Sequence, residues 1–358
     1  MSFDTSIVPG FIQKLKPYAS ARRLDKTGEI WLNANERPSL PTVELKIQDL
    51  NRYPQPQPPE LISAYSAYCG VPREQIIATR GIDEGIELLV RGFCVPGVDS
   101  IAIAPPTYGM YAISAATHNV GVHYIPLDSD YSLDAEALLD GLQEARLVFV
   151  CSPNNPTGGA VARDELIQIL EGLPPQTILI LDEAYIEFSA ENECSTLLAE
   201  YSNLVILRTL SKAFGLAGIR VGFLMAHPEI LGTIQKIQAP YPIPTPSEQI
   251  ARTALSQEGL QLMRNEVRKI TASRQWVAAE LLGLTTVLEV LPSQTNFLTL
   301  HVDSAPRLMA ALRKRGIIIR DQSYQPGLSN CVRLTIGTDE ELETFMKAMH
   351  AYDRKDSK

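Results

Sequence analysis

Lys212 sits in the run Arg208-Thr209-Leu210-Ser211-Lys212-Ala213-Phe214-Gly215, just after the apolar stretch Leu204–Leu207. An amine there can condense with an aldehyde, and Ser211 and Arg220 nearby can hold phosphate oxygens. Asp182 and Tyr185 follow Thr177–Leu181 in Asp182-Glu183-Ala184-Tyr185. A carboxylate in that position is poorly solvated and needs a cationic partner, either a core arginine or a bound ring N–H. Asn155, in Ser152-Pro153-Asn154-Asn155-Pro156-Thr157-Gly158-Gly159, can donate its amide to an oxygen on such a ring. Tyr108, in Pro105-Pro106-Thr107-Tyr108-Gly109, can stack on a flat ring. Ile82, Asp83 and Glu84 open a helix after Thr79-Arg80-Gly81, where free amides suit a phosphate. Taken singly, each also reads as a turn, a capped helix or simple packing.

What lifts the set is its position in the chain. Apolar runs at Gln75–Ala78, Ser100–Ala104, Leu147–Cys151, Thr177–Leu181 and Leu204–Leu207 alternate with helical patterns such as Ile82–Phe93, Asp134–Leu142 and Arg163–Glu171. This predicts a largely parallel sheet covered on both faces, in which ligands lie beyond the carboxyl ends of the strands. After about residue 245 a long helix (Ser256–Leu284) precedes strands at Thr286–Leu291 and Asn296–Val302. A helix (Ala305–Arg315), strands at Ile317–Arg320 and Cys331–Ile336, and a last helix opening at Thr338 with capping-box spacing complete the pattern. The expectation is an α/β protein with a large domain over 41–245, a smaller α+β domain over 246–358, and an arm over 1–40 that joins the small domain. The proline-rich Tyr53–Pro59 should be an extended surface or interface segment.

Other chemistries find little support. No G-x-G or Walker loop occurs, and the five histidines form no H-E-x-x-H, so neither a dinucleotide fold nor a metal site is expected. The net charge of −9 argues against nucleic acid or an anionic membrane as partner. Five scattered cysteines, no basic-then-apolar leader and no bilayer-length apolar stretch point to a reducing cytoplasm.

Together the strand-end residues supply the parts that pyridoxal 5'-phosphate (PLP) requires: a phosphate cradle, a stacking aromatic, donors to the ring oxygen, an acid for the ring nitrogen and an imine-forming lysine. The chain resembles the fold-type I, class II PLP-dependent aminotransferases, most closely the histidinol-phosphate aminotransferase family, from Lys16-Pro17-Tyr18 to the last helix. Trp31-Leu32-Asn33-Ala34-Asn35-Glu36, Arg52-Tyr53-Pro54, Asp182–Glu187, Arg208–Gly222 and Gly316–Asp321 with Arg333 carry that resemblance. It implies a mostly parallel seven-stranded sheet, with Lys212 as Schiff base and proton shuttle. It implies Asp182 on the pyridine nitrogen, Asn155 and Tyr185 on the ring hydroxyl, and Tyr108 on the ring face. Thr209, Ser211, Arg220 and the amides of Ile82, Asp83 and Glu84 would lie around the phosphate. Arg333, with Arg320, Tyr18 and Asn35, would bind the acidic end of the substrate. Tyr53 and Tyr18 would come from the neighbouring subunit of a homodimer. The implied reaction moves an amino group between L-histidinol phosphate and 2-oxoglutarate by a ping-pong course. Ile82 stands where a smaller residue is expected, and Arg37 has no implied role. Aromatic or broad-specificity aminotransferases and threonine-phosphate decarboxylases share most of these motifs. A non-catalytic PLP-fold sensing module is opposed by the intact Lys212 and Asp182.

Overall fold

The computed structural model describes residues 4–17, 27–39 and 50–356. Seven strands form the main sheet: β2 (Ile76–Thr79), β3 (Ser100–Ile103), β4 (Gly121–Tyr124), β5 (Leu147–Cys151), β6 (Ile178–Asp182), β7 (Leu204–Thr209) and β8 (Gly222–Ala226), in the order β2-β8-β7-β6-β5-β3-β4. All are parallel except β8, which runs against both of its neighbours. The central strands β5, β6 and β7 consist mostly of Leu, Ile and Val, nearly all buried, because helices cover both faces. Each such side chain contributes about 1.5–3 kcal/mol by leaving water. The helices at Ile82–Phe93 and Arg163–Gly172 fall where their periodicity places them.

Two strands escaped the sequence reading. β4 is an edge strand whose residues stay partly or fully exposed, so it carries no continuous apolar run. β8 follows β7 without an intervening α-helix and so breaks the expected alternation. Its reversed direction matters: Gly222, at its start, pairs with Thr79 and Thr209 at the ends of β2 and β7. The residues just before β8 therefore lie beside the carboxyl ends of the parallel strands.

A second, antiparallel sheet orders β12 (Arg320–Asp321), β13 (Cys331–Thr335), β10 (Phe297–Val302) and β9 (Val287–Val290). The long helix Gln257–Leu281 and the final helix Asp339–Asp356 accompany it. The run expected as one strand at Ile317–Arg320 is divided, its first part forming β11 (Ile317–Ile318) and its last residue opening β12. β11 pairs in parallel with β1 (Ile30–Trp31). Leu32 extends this link, donating its N–H to Ile318 and accepting one from Thr335. The segment 33–37 is thereby led from the small sheet across the ends of the large one.

Candidate active site

Beyond the ends of β5, β6 and β7 lies a cavity of about 380 Å³, within the range of small-molecule and cofactor sites. Asn35, Ile82, Asp83, Tyr108, Asn155, Asp182, Tyr185, Thr209, Ser211, Lys212, Arg220, Arg320 and Arg333 all line it. Sequence spacing had placed Ile82, Asp83, Tyr108, Asn155, Asp182, Tyr185, Thr209, Ser211, Lys212 and Arg220 just beyond strand ends, while Asn35, Arg320 and Arg333 had come from the family resemblance.

On the floor is Asp182, the last residue of β6 and 2% exposed. Tyr111 Oη donates to its Oδ2 at 2.6 Å, and the Ala184 N–H donates to Oδ1 at 3.0 Å. Burial pushes this carboxyl up to about 6, against the opposing effect of those two hydrogen bonds. A bound cation at the floor would return it to the charged form.

Lys212 occupies the turn after β7, where the Gly215 N–H donates to the Lys212 carbonyl at 3.0 Å. Its Nζ donates to the Ala34 carbonyl at 3.2 Å and lies 5.6 Å from the centre of the Tyr185 ring. Burial, and next the charge of Arg333, lower its pKa to about 8. About a tenth of the amine is therefore unprotonated, and nucleophilic, at pH 7, far more than for an ordinary lysine.

One end of the cavity suits a phosphate. Gly81, at φ +81°, leads into the helix Ile82–Phe93, presenting first-turn amides. Arg220, itself at φ +55°, reaches Asp83 at 3.4 Å and Ser211 Oγ at 3.4 Å. A β-carbon on Gly81 would lie 2.7 Å from Arg220 Nη2, and one on Gly222 would strike the Gly81 backbone. Only glycine at both positions leaves the cradle its shape. Thr209 Oγ1 donates to Ser211 Oγ at 2.9 Å and accepts the Ser211 N–H at 3.1 Å, fixing that hydroxyl. The Glu84 carboxylate turns away to accept the Arg80 N–H at 2.6 Å, so Glu84 can offer the cavity only its amide.

Tyr108 Oη donates to Asp83 Oδ1 at 2.9 Å, and its ring stands edge-on to Tyr111. Arg333, on β13, donates to the Asn155 side-chain oxygen and to the Asn33 carbonyl, the latter at 3.1 Å. That orientation leaves the Asn155 amide nitrogen as the group that can donate into the cavity. Tyr185 Oη accepts from Asn35 Nδ2 at 2.8 Å. Arg320 is the register partner of Arg333, so both guanidinium groups are carried on adjacent strands.

Two calls, Glu84 and Tyr53, are not among the residues that line this cavity. Tyr53 is 82% exposed and stacks on Tyr241, with ring centres 4.6 Å apart. Tyr18 lies outside the described residues. Several contributors were not foreseen. Tyr111, which holds Asp182, is on the helix Met110–Thr117 and carries no motif. Thr107 and Asn154 tie the Tyr108 and Asn155 loops together through a 2.9 Å hydrogen bond. Gln322, Tyr324 and Gln325 line the cavity from the turn after β12. None of these roles has a local signal in the sequence; each depends on tertiary contact.

A mostly parallel seven-stranded sheet with a lysine turn, an acid and a phosphate cradle at its strand ends is the architecture of the fold-type I PLP-dependent transferases. The sequence model of the Aminotransferase class I and II family matches residues 21–349, and the chain belongs to that family. A histidinol-phosphate aminotransferase from Pectobacterium carotovorum is 46% identical over 340 residues, covering 95% of each chain. A solved histidinol-phosphate aminotransferase from Sinorhizobium meliloti, in complex with pyridoxal-5'-phosphate, superposes with a TM-score of 0.87 at 26% identity, covering 98% of each chain. An L-threonine-O-3-phosphate decarboxylase from Porphyromonas gingivalis, 24% identical over 84% of this chain and 92% of its own, has a TM-score of 0.71 and shares the fold.

Proposed function

We propose that this chain is a PLP-dependent aminotransferase that moves an amino group between L-histidinol phosphate and 2-oxoglutarate, giving imidazole acetol phosphate and L-glutamate in histidine biosynthesis. The observation that carries the reading is one cavity lined by Lys212, Asp182 and the two arginines Arg333 and Arg320 of adjacent strands. The residues fit the cofactor: a buried carboxylate awaits a cation, a nucleophilic amine lies within the same cavity, and the glycine-shaped cradle suits a phosphate.

When bound, PLP supplies an aldehyde and a ring that accepts the electron pair left on the substrate α-carbon. Asp182 would keep a proton on its ring nitrogen. Asn155 and Tyr185 would bond its ring oxygen, Tyr108 would cover the ring, and Ser211, Thr209, Arg220 and the amides of Ile82, Asp83 and Glu84 would hold its phosphate. Lys212 Nζ takes the proton from the substrate α-carbon. Arg333, with Arg320 and Asn35, holds the phosphate ester of one substrate and the α-carboxylate of the other, since a guanidinium fork matches either oxyanion. Ping-pong kinetics follow from one site serving both halves.

The exposed Tyr53 supports a homodimer in which Tyr53 and Tyr18 complete the partner's site. The proposed division places the arm over 1–40, the large domain over 41–245 and the small domain over 246–358. No described helix is long and apolar enough to cross a membrane, and we place the enzyme in the cytoplasm.

The deciding test is the visible absorption of the PLP-loaded protein. The band should fall on adding histidinol phosphate and return with 2-oxoglutarate. A band that responds only to phenylalanine or tyrosine would make the enzyme an aromatic aminotransferase, and absence of any band would remove PLP from the reading. Arg333→Lys keeps the charge but loses the fork, and is expected to raise KM for both substrates by about tenfold or more. A change confined to one substrate would place the other's anion elsewhere.

A further inference from the structure

We propose that Arg37 is a positioning residue for Lys212, holding the main chain of the turn from which the reactive amine extends. The inference rests on the reading of Lys212 as the lysine that captures PLP.

Arg37 lies at the end of the segment that crosses the cavity, and its side chain is half-buried. Its Nη1 donates to the carbonyl of Ala213, the residue after Lys212, at 3.2 Å. The guanidinium lies against Gly215, at φ +71°, where a β-carbon would come within 2.9 Å of Arg37 Nε. The turn 212–215 is therefore shaped to receive this side chain. Arg37 Nε donates to the Ser39 carbonyl at 3.0 Å and to Ser39 Oγ at 3.2 Å. Ser39 Oγ in turn donates to Glu266 Oε2 at 2.7 Å, on the long helix Gln257–Leu281. The guanidinium is thus pinned on one side to the small domain's longest helix and on the other to the lysine turn.

The same short segment meets Lys212 twice. Ala34 accepts from the amine at the tip of the side chain, and Arg37 grips the main chain one residue further on. One anchor at the amine and another on the main chain beside the residue restrict where Nζ can travel, which is what capture of an aldehyde at a fixed place demands. Arg37 makes no hydrogen bond or ion pair to Asp182 or the phosphate cradle among the described residues, and it is not among the residues lining the cavity. Its side chain meets the site at the turn that carries Lys212.

A double-mutant cycle separates this role from general support of the fold. PLP affinity and the rate of covalent capture would be measured on the cofactor-free protein, with and without Lys212. In the presence of Lys212, Arg37→Ala should slow capture, read as the rise of the visible band, and weaken PLP binding by about tenfold. In the Lys212→Ala background the same change should leave PLP affinity within about twofold. Arg37→Lys, which retains one donor for the Ala213 carbonyl, should recover part of the capture rate. Equal losses in both backgrounds, or no loss in either, would overturn the proposal. Should Arg37→Ala fail to fold, Ser39→Ala provides the same cycle, with a loss of about two- to threefold expected only when Lys212 is present. Borohydride reduction of the loaded wild type keeps the two readings apart. Label found off Lys212 removes the premise itself, whereas label on Lys212 with an unchanged Arg37→Ala capture rate removes only the positioning role.

Discussion

Lys212→Ala is expected to lower turnover by roughly 10⁴-fold or more, the scale seen when an enzyme loses its covalent group. Among the residues lining the cavity Lys212 is the single lysine, so no second amine is placed to substitute for it. Its lowered pKa, near 8, arises from burial and the charge of Arg333 and gives an amine that reacts at neutral pH without a separate base. The variant should still hold PLP through the phosphate cradle, but borohydride should no longer fix the cofactor to the chain. Peptide mapping by mass spectrometry reads that directly. Turnover within tenfold of wild type would show that the chemistry belongs to another group.

The second large effect is expected at Asp182, and its sign depends on whether cofactor is present. With PLP bound, Asp182→Asn removes a buried carboxylate of the cavity, and the rate should fall by about 10³-fold while cofactor binding persists. Without PLP the same substitution should stabilise the protein. The carboxyl is raised to about 6 by burial, above its ordinary value, so the native state binds the proton more tightly than the unfolded chain. The stability this provides is fully present below about pH 4 and is lost as pH rises through 6. At pH 7.5 the cofactor-free wild type should be less stable than the asparagine variant by about 3 kcal/mol, and the gap should close toward pH 4. Thermal melts across that range check it. A gap that does not change with pH would mean that Asp182 titrates normally.

Much of this site could be read before any coordinates because its residues sit where continuous apolar strands stop. Asp182, Asn155 and Lys212 each follow runs of Leu, Ile and Val that can only be central strands, and the carboxyl ends of such strands face ligands. β4 was illegible because an edge strand exposed on both faces has no reason to be apolar, and β8 because it breaks the βα alternation. Tyr111 escaped for a different reason. Its importance lies in one hydroxyl reaching Asp182 across 71 positions of chain, and no local spacing encodes that. The Arg37 contact with Ala213 spans 176 positions and is equally invisible to periodicity.

The segment 33–35 has a consequence for how the protein comes into being. Asn33 and Asn35 bond to Arg333 and Thr335, partners 300 positions away, while Asn35 also holds Tyr185 and accepts from Asn296. A chain emerging from the ribosome carries Gly81, Asp182 and Lys212 once β8 is out, yet the segment 33–35 gains its bonds to Arg333 and Thr335 only when β13 appears. The strands of the large sheet are therefore all available early, while the wall that carries Arg333 is completed only near the end of synthesis. Contacts of such long range form late because loop closure must precede them. The residues proposed to hold the cofactor are thus all synthesised well before those proposed to hold the substrate anion.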